Sequence, residues 1–170
     1  MNRRNFITSA LAFGGLAALA GPALAVADDK GRRAKAGAVG RVVRTDEEWR
    51  RLLTPEQYEV ARRAGTEAPY SSPLNDEHQK GTFVCVCCDL PLFSSRTKFD
   101  SKTGWPSFWA SVSKRHVSEK VDRSLAETRT EVLCARCDAH LGHVFDDGPP
   151  PTGLRYCMNG VALKFVAGRA

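Results

Sequence analysis

The chain has 170 residues, a formal net charge of +6 and 42% hydrophobic residues. That is enough for one domain with a real core and too little for two comfortable ones. Much of the charge sits in the tail Lys30-Gly31-Arg32-Arg33-Ala34-Lys35, which reads as a solvated linker, so no nucleic-acid partner is expected.

The first 27 residues open on Asn2-Arg3-Arg4-Asn5-Phe6-Ile7, continue through the small, apolar Ala10 to Ala20, and close with Ala23-Leu24-Ala25-Val26-Ala27. This is the pattern of a twin-arginine signal peptide, cleaved after Ala25 or Ala27. The competing reading is an uncleaved anchor, but the apolar run is too short and too rich in Gly and Ala for a stable membrane span. No cysteine precedes Cys85 that could carry a lipid. The expectation is export to the periplasm already folded, with 1–27 as signal peptide, 28–44 as linker and 45–168 as one monomeric folded domain without a stable membrane anchor.

Thr45-Asp46-Glu47-Glu48 carries a capping-box pattern and predicts a helix whose Trp49, Leu52 and Leu53 share one face. Thr54-Pro55-Glu56-Gln57 starts a second helix by the same logic, with Pro55 at its first position and Gly65 as its stop. From Pro69 onward helical periodicity is lost. Short apolar or alternating runs follow at 82–85, 92–93, 108–112, 117–121, 131–133, 143–145, 154–158 and 162–166, separated by turn residues. The fold class expected is mainly β: an antiparallel β domain behind a small helical N-terminal cover.

Six cysteines occur. Cys85-Val-Cys-Cys88 and Cys134-Ala-Arg-Cys137 are two C-x-x-C knuckles, each able to turn two thiolates toward one tetrahedral zinc. Disulfides are the alternative that an oxidising compartment would permit, but the adjacent Cys87 and Cys88 do not suit a disulfide framework. A thioredoxin-like reading lacks any βαβ context. If Cys85, Cys88, Cys134 and Cys137 hold zinc, the spare thiols are Cys87 and Cys157, and only Cys157 lies near Arg155, His140 and His143, where a positive field favours thiolate.

The stretch His140 to Asn159 concentrates the chemistry. Its centre, Gly148-Pro149-Pro150-Pro151-Thr152-Gly153, must be loop, so its flanks can fold back and face His143 against Cys157 across neighbouring strands. The residues after Cys157 alternate and suggest a half-buried strand. Taken alone, Cys157 is as well read as a small buried hydrophobe, either histidine as a satisfied core residue and Trp105 as core.

Several longer motifs turn that balance: Gly65-Thr66-Glu67-Ala68-Pro69-Tyr70, Cys88-Asp89-Leu90-Pro91-Leu92-Phe93, Lys98-Phe99-Asp100-Ser101, Gly104-Trp105-Pro106-Ser107-Phe108, Cys137-Asp138-Ala139-His140-Leu141-Gly142-His143-Val144-Phe145 and Thr152-Gly153-Leu154-Arg155-Tyr156-Cys157 with Asn159. In this order, over about residues 46–166, the sequence resembles the methionine sulfoxide reductase B family. The resemblance implies two small antiparallel sheets with short N-terminal helices, a structural zinc on the four knuckle cysteines, and Cys157 as the nucleophile that takes oxygen from methionine-R-sulfoxide and becomes a sulfenic acid. It implies a proton donor in His143, with His140 beside it, and Asn159 to orient substrate or a water. Arg155 would lower the thiol pKa, Asp147 would hold Arg155 or a histidine, and Trp105, with Phe145 in support, would receive the S-methyl group. The partners implied are oxidised proteins or the free sulfoxide, and a thioredoxin-like reductant. Three positions depart from the common pattern: Thr103 and Ser71 stand where members carry a resolving cysteine, and Gly160 replaces a more usual serine, which is expected to loosen the strand after Cys157.

Overall fold

The computed structural model describes residues 39–168. The signal-peptide expectation, and most of the linker, lie outside the described residues. Helix α1 spans Asp46–Leu52 and α2 spans Pro55–Arg63, each opened by a complete capping box in which Thr45 pairs with Glu48 and Thr54 with Gln57. In both, the threonine hydroxyl accepts from the third backbone N–H of the helix while the Glu or Gln side chain returns the bond to the threonine N–H, so two otherwise unpaired donors are satisfied. Two expectations are corrected. Leu52 is 58% exposed, because a helix of only seven residues presents Trp49 to the core and leaves Leu53, already extended, to follow it in. Helix α2 stops at Ala64 in the left-handed conformation, φ 57°, one residue before Gly65.

A three-stranded sheet follows, ordered β2-β1-β9 from β1 (Gly81–Cys85), β2 (Pro91–Ser94) and β9 (Leu163–Ala167). A six-stranded sheet is ordered β3-β4-β8-β7-β6-β5, from β3 (Lys98–Phe99), β4 (Ser107–Phe108), β5 (Val117–Asp122), β6 (Arg129–Cys134), β7 (His140–Phe145) and β8 (Arg155–Met158). All pairings are antiparallel. The run expected at 108–112 is shorter than anticipated: β4 ends at Phe108, and beyond it only Ser111 bridges Phe93. The stretch after Cys157 is not one strand either. Strand β8 ends at Met158, a single 3-10 turn covers Gly160–Ala162, and the chain then crosses into the other sheet as β9.

The two sheets meet through aromatic side chains. Phe93 stacks on Phe108 with ring centroids 4.5 Å apart, and Phe83 meets Phe108 edge-on at 4.9 Å. All three are fully buried, and truncating one such residue to alanine costs about 3–5 kcal/mol. Residues 39–44 run along the second cysteine knuckle, where the Val42 N–H donates to the Arg136 carbonyl at 2.8 Å and Arg41 pairs with Asp138. Among the described residues no helix is long and apolar enough to cross a membrane.

Candidate active site

Opposed residues in antiparallel strands project from the same face. The register therefore lines up Ser107 (β4), Cys157 (β8), His143 (β7), Glu131 (β6) and Lys120 (β5) in one row. Two residues along, Asp122, Arg129, Phe145 and Arg155 are brought to the same face. The facing of His143 and Cys157 across neighbouring strands, expected from the Pro-rich loop between them, is observed as a direct Cα pairing. The loop closes on itself through Gly148 N–H to the Gly153 carbonyl at 2.9 Å.

His140 and His143 are three residues apart, a spacing that puts side chains on opposite faces of a regular strand. A bulge corrects this. Leu133 pairs with His140 but Val132 pairs with Gly142, so Leu141 is the extra residue and the alternation resets. The two imidazoles then lie edge to face with centroids 5.5 Å apart. Gly142 is required at this point: with φ 152°, a Cβ there would lie 2.1 Å from the Cys157 carbonyl oxygen.

The two histidines differ in setting. His140 is 3% exposed, and burial lowers its pKa more than the Glu131 carboxylate, 2.7 Å from Nδ1, raises it. That suits a neutral support for its neighbour. His143, half-buried, places Nε2 2.9 Å from Asp122 Oδ2. Asp122 in turn pairs with Arg129 at 2.6 Å. Neither Asp122, Arg129 nor Glu131 was singled out from the sequence. The signal was there in Arg129-Thr130-Glu131-Val132, whose alternation puts Arg129 and Glu131 on one side of β6 with Thr130 and Val132 on the other.

Cys157 is half-buried, and burial pushes its thiol above the ordinary 9.0. The Thr103 hydroxyl, 3.8 Å from Sγ, pulls in the opposite direction, followed by the Arg155 guanidinium. The sign expected for Arg155 is thus present, but desolvation outweighs it. Arg155 is itself anchored by two bonds to Asp147, 2.8 and 2.7 Å, and lies 4.4 Å over the Phe145 ring. Asp147 holds the arginine; the histidine has its own carboxylate. Thr103 is linked through Ser101 to Ser107 by hydroxyl contacts of 2.8 and 2.7 Å.

A cavity of about 120 Å³ opens over this face, with Cys157, His143, Phe145 and Trp105 among its walls. That is room for a side-chain tip, well above the roughly 10–15 Å³ a single water needs. Thr66, Arg129, Gly142 and Asn159 complete it. Glu67, buried at 6%, organises one side: its carbonyl accepts from Trp105 Nε1 at 3.2 Å, its N–H donates to Asn159 Oδ1 at 3.1 Å, and its carboxylate accepts from the Gly160 and Val161 N–H groups. Asn159 also donates to the Leu141 carbonyl at 3.2 Å, so one amide hydrogen is left for a ligand.

Gly160 has a steric reason in this fold. It is buried, and a Cβ there would lie 2.0 Å from Ser72 Oγ and 2.5 Å from Ser72 Cβ. The glycine makes room for Ser72.

The four knuckle cysteines converge elsewhere, their sulfurs all within 4.8 Å of one another. Cys85 and Cys137 are 3.7 Å apart and Cys88 and Cys134 3.5 Å. A tetrahedron with Zn–S bonds of about 2.3 Å has edges of roughly 3.8 Å, so the donor set fits zinc in type and in spacing. Arg62 and Arg136 brace the two knuckles through the Cys137 and Cys88 carbonyls. Cys87 stays in the first knuckle, half-buried.

The SelR domain family matches residues 53–167. Relatives named peptide methionine sulfoxide reductase MsrB are 55% identical over 127 residues in Herminiimonas arsenicoxydans, covering 75% of this chain and 93% of the relative. The relative in Pseudomonas putida strain W619 is 58% identical over 125 residues, 74% of this chain and 94% of its own. In Thioalkalivibrio sulfidiphilus the identity is 59% over 123 residues, 72% of this chain and 90% of the relative. With a family match over most of the described residues and relatives above half identity, the chain belongs to the methionine sulfoxide reductase B family.

Proposed function

We propose that this protein is a peptide-methionine (R)-S-oxide reductase that repairs oxidised methionine, free or in proteins, through Cys157. The observation that carries the reading is the pairing of Cys157 with His143 at the wall of a side-chain-sized cavity that Trp105 and Phe145 make apolar. The S-methyl group packs against these rings, which leaves the polar sulfoxide oxygen to the histidine side. The Cys157 thiolate attacks the sulfoxide sulfur, and a proton from His143 converts the oxygen into a group that can depart. The S–S bond so formed breaks as the departing hydroxide bonds to Cys157 Sγ, leaving a sulfenic acid on Cys157 and methionine as product, so Cys157 has given two electrons to the substrate sulfur.

The thiol rests protonated because it is half desolvated. Thr103 and Arg155 favour the thiolate, and Asp147 keeps Arg155 in place by a two-point contact. Recycling uses an external thiol of thioredoxin type acting directly on the sulfenic acid, because Thr103, not a cysteine, stands beside Cys157 and Cys87 belongs to the knuckle. Zinc on Cys85, Cys88, Cys134 and Cys137 supplies folding energy, with no part in the chemistry. Residues 1–27 direct export by the twin-arginine route, and the mature protein acts as a monomer in the periplasm.

The test is steady-state turnover of the resolved R and S epimers by wild type and Cys157→Ser. The R epimer alone is reduced, and the variant is inactive because serine offers no comparable anion near neutral pH. Equal turnover of both epimers, or activity without Cys157, would overturn the assignment.

A further inference from the structure

The sheet face carries two carboxylates that the reaction above does not use, Asp122 and Glu131, each bonded to one of the two histidines. We propose that Asp122 is a positioning residue: it holds the proton of His143 on Nε2 and so makes Nδ1 the nitrogen that delivers a proton to the substrate. The proposal rests on His143 as proton donor and adds which atom does it and what fixes that choice.

The geometry is that of a carboxylate that can only accept. Asp122 ends β5 opposite Arg129, which begins β6. Its Oδ2 lies 2.9 Å from His143 Nε2 and 2.6 Å from Arg129 Nη2, and its Oδ1 accepts from the Ser124 N–H at 2.9 Å. Its side chain is 14% exposed and that of His143 12%, so little solvent screens the pair. Bonds from Ser124, then His143 and Arg129, hold the Asp122 carboxyl far below its ordinary 3.8. An ionised carboxylate has no hydrogen to give. The 2.9 Å contact therefore places the hydrogen on His143 Nε2 whenever the ring is neutral, leaving the lone pair on Nδ1. A second proton on the ring therefore sits on Nδ1, with Asp122 across Nε2 in the place of the third member of a nucleophile–histidine–carboxylate arrangement.

His140 is set the other way. Its Nδ1 faces Glu131 at 2.7 Å, while its Nε2 is buried without a partner among the described residues. Two histidines 5.5 Å apart are thus held in opposite tautomers by carboxylates from adjacent strands, His140 with Nδ1–H and His143 with Nε2–H. The charged and titratable groups packed around His143 are Asp122 from β5, Arg129 and Glu131 from β6, His140 on β7 and Cys157 on β8. In the reaction the Nδ1 proton of the imidazolium passes to the sulfoxide oxygen as the Cys157 thiolate attacks the sulfur, and that oxygen bonds to Cys157 Sγ as the S–S bond then breaks. The substrate sulfur gains two electrons and Cys157 loses them, while the hydrogen on Nε2 stays in its bond to Asp122 throughout.

The test uses the full zinc-loaded chain, reduced and labelled with 15N-histidine, with long-range 1H–15N correlations recorded at pH 8 and assigned by His140→Gln and His143→Gln. The expected result is Nε2-protonated His143 and Nδ1-protonated His140. In Asp122→Asn the His143 signals shift toward a tautomer mixture while those of His140 hold. The single-turnover rate of oxygen transfer falls by about 10²-fold, the lower range for a displaced general acid, with KM little changed. Arg129→Gln, which breaks the same ion pair but leaves the carboxylate on His143, keeps the Nε2–H tautomer. Nδ1-protonated His143 in the wild type, or an Asp122→Asn rate within twofold of wild type, would overturn the proposal. A wild type with the stated tautomers but no reductase activity would instead overturn the proposed function, because the tautomers are read without substrate.

Discussion

Introducing Gly160→Ser, toward the residue more usual in the family, is expected to destabilise this protein. The new Cβ would lie 2.0 Å from Ser72 Oγ and 2.5 Å from Ser72 Cβ, so something must move. Shifting the Gly160–Ala162 turn strains the bonds from the Gly160 and Val161 N–H groups to Glu67, and overpacking of this kind costs about 1–3 kcal/mol. Rotating Ser72 away instead breaks its bond from the Leu74 N–H, the cap of the 3-10 turn Pro73–Asp76, and a lost cap costs about 0.5–2 kcal/mol. The two routes together span about 0.5–3 kcal/mol, which for a domain of this size lowers Tm by roughly 2–10 °C. The assay is thermal unfolding of the zinc-loaded protein at pH 7, run as a double-mutant cycle with Ser72→Gly. Ser72→Gly alone is nearly silent, and in combination it restores most of the loss, a coupling of about 1 kcal/mol or more. A Gly160→Ser variant within about 1 °C of wild type, or a loss that Ser72→Gly leaves untouched, would refute the reasoning.

Cys134→Ser leaves three thiolates at a four-ligand site and is expected to abolish cooperative unfolding and lower bound zinc well below one equivalent, read by metal analysis, because zinc binding there is folding energy. Thr103→Cys puts a thiol where the Thr103 hydroxyl now lies 3.8 Å from Cys157 Sγ. After one turnover the introduced thiol is expected to form a disulfide with Cys157, seen by peptide mapping, whereas wild type forms no disulfide with Cys87. Asp122 has a folded pKa below its ordinary 3.8, so its bonds stabilise the fold above pH about 4 and that contribution is lost as pH falls through the depressed value. The stability gap between wild type and Asp122→Asn should accordingly be widest near neutrality and narrow in acid, as measured by urea unfolding.

The parts of the site that rest on local pattern were legible in the sequence. Capping boxes at Thr45 and Thr54, the two knuckles, and the return of the chain through the Pro-rich loop are all set by residues close in sequence, and each is found where expected. What escaped depends on register. The bulge at Leu141 that brings His140 and His143 to one face has no local signal beyond Gly142. Asp122 and Glu131 matter only because β6 lies beside β7 and β5 beside β6. Glu67 is linked to Asn159 and Gly160 across more than ninety residues. The steric reason for Gly160 was hidden in the same way: the side chain that fills the space, Ser72, comes from a distant loop. Leu52 was misplaced because α1 is too short for its whole apolar stripe to reach the core.

The most direct measurement is one turnover without reductant. Reduced protein is mixed with excess methionine-R-sulfoxide in the presence of dimedone, methionine is quantified, and the cysteine peptides are weighed by mass spectrometry. The account predicts one methionine per chain, one dimedone adduct on Cys157, unmodified Cys87, and no product from the S epimer. Methionine formed while Cys157 remains a free thiol, or an adduct on any other cysteine in its place, would contradict it.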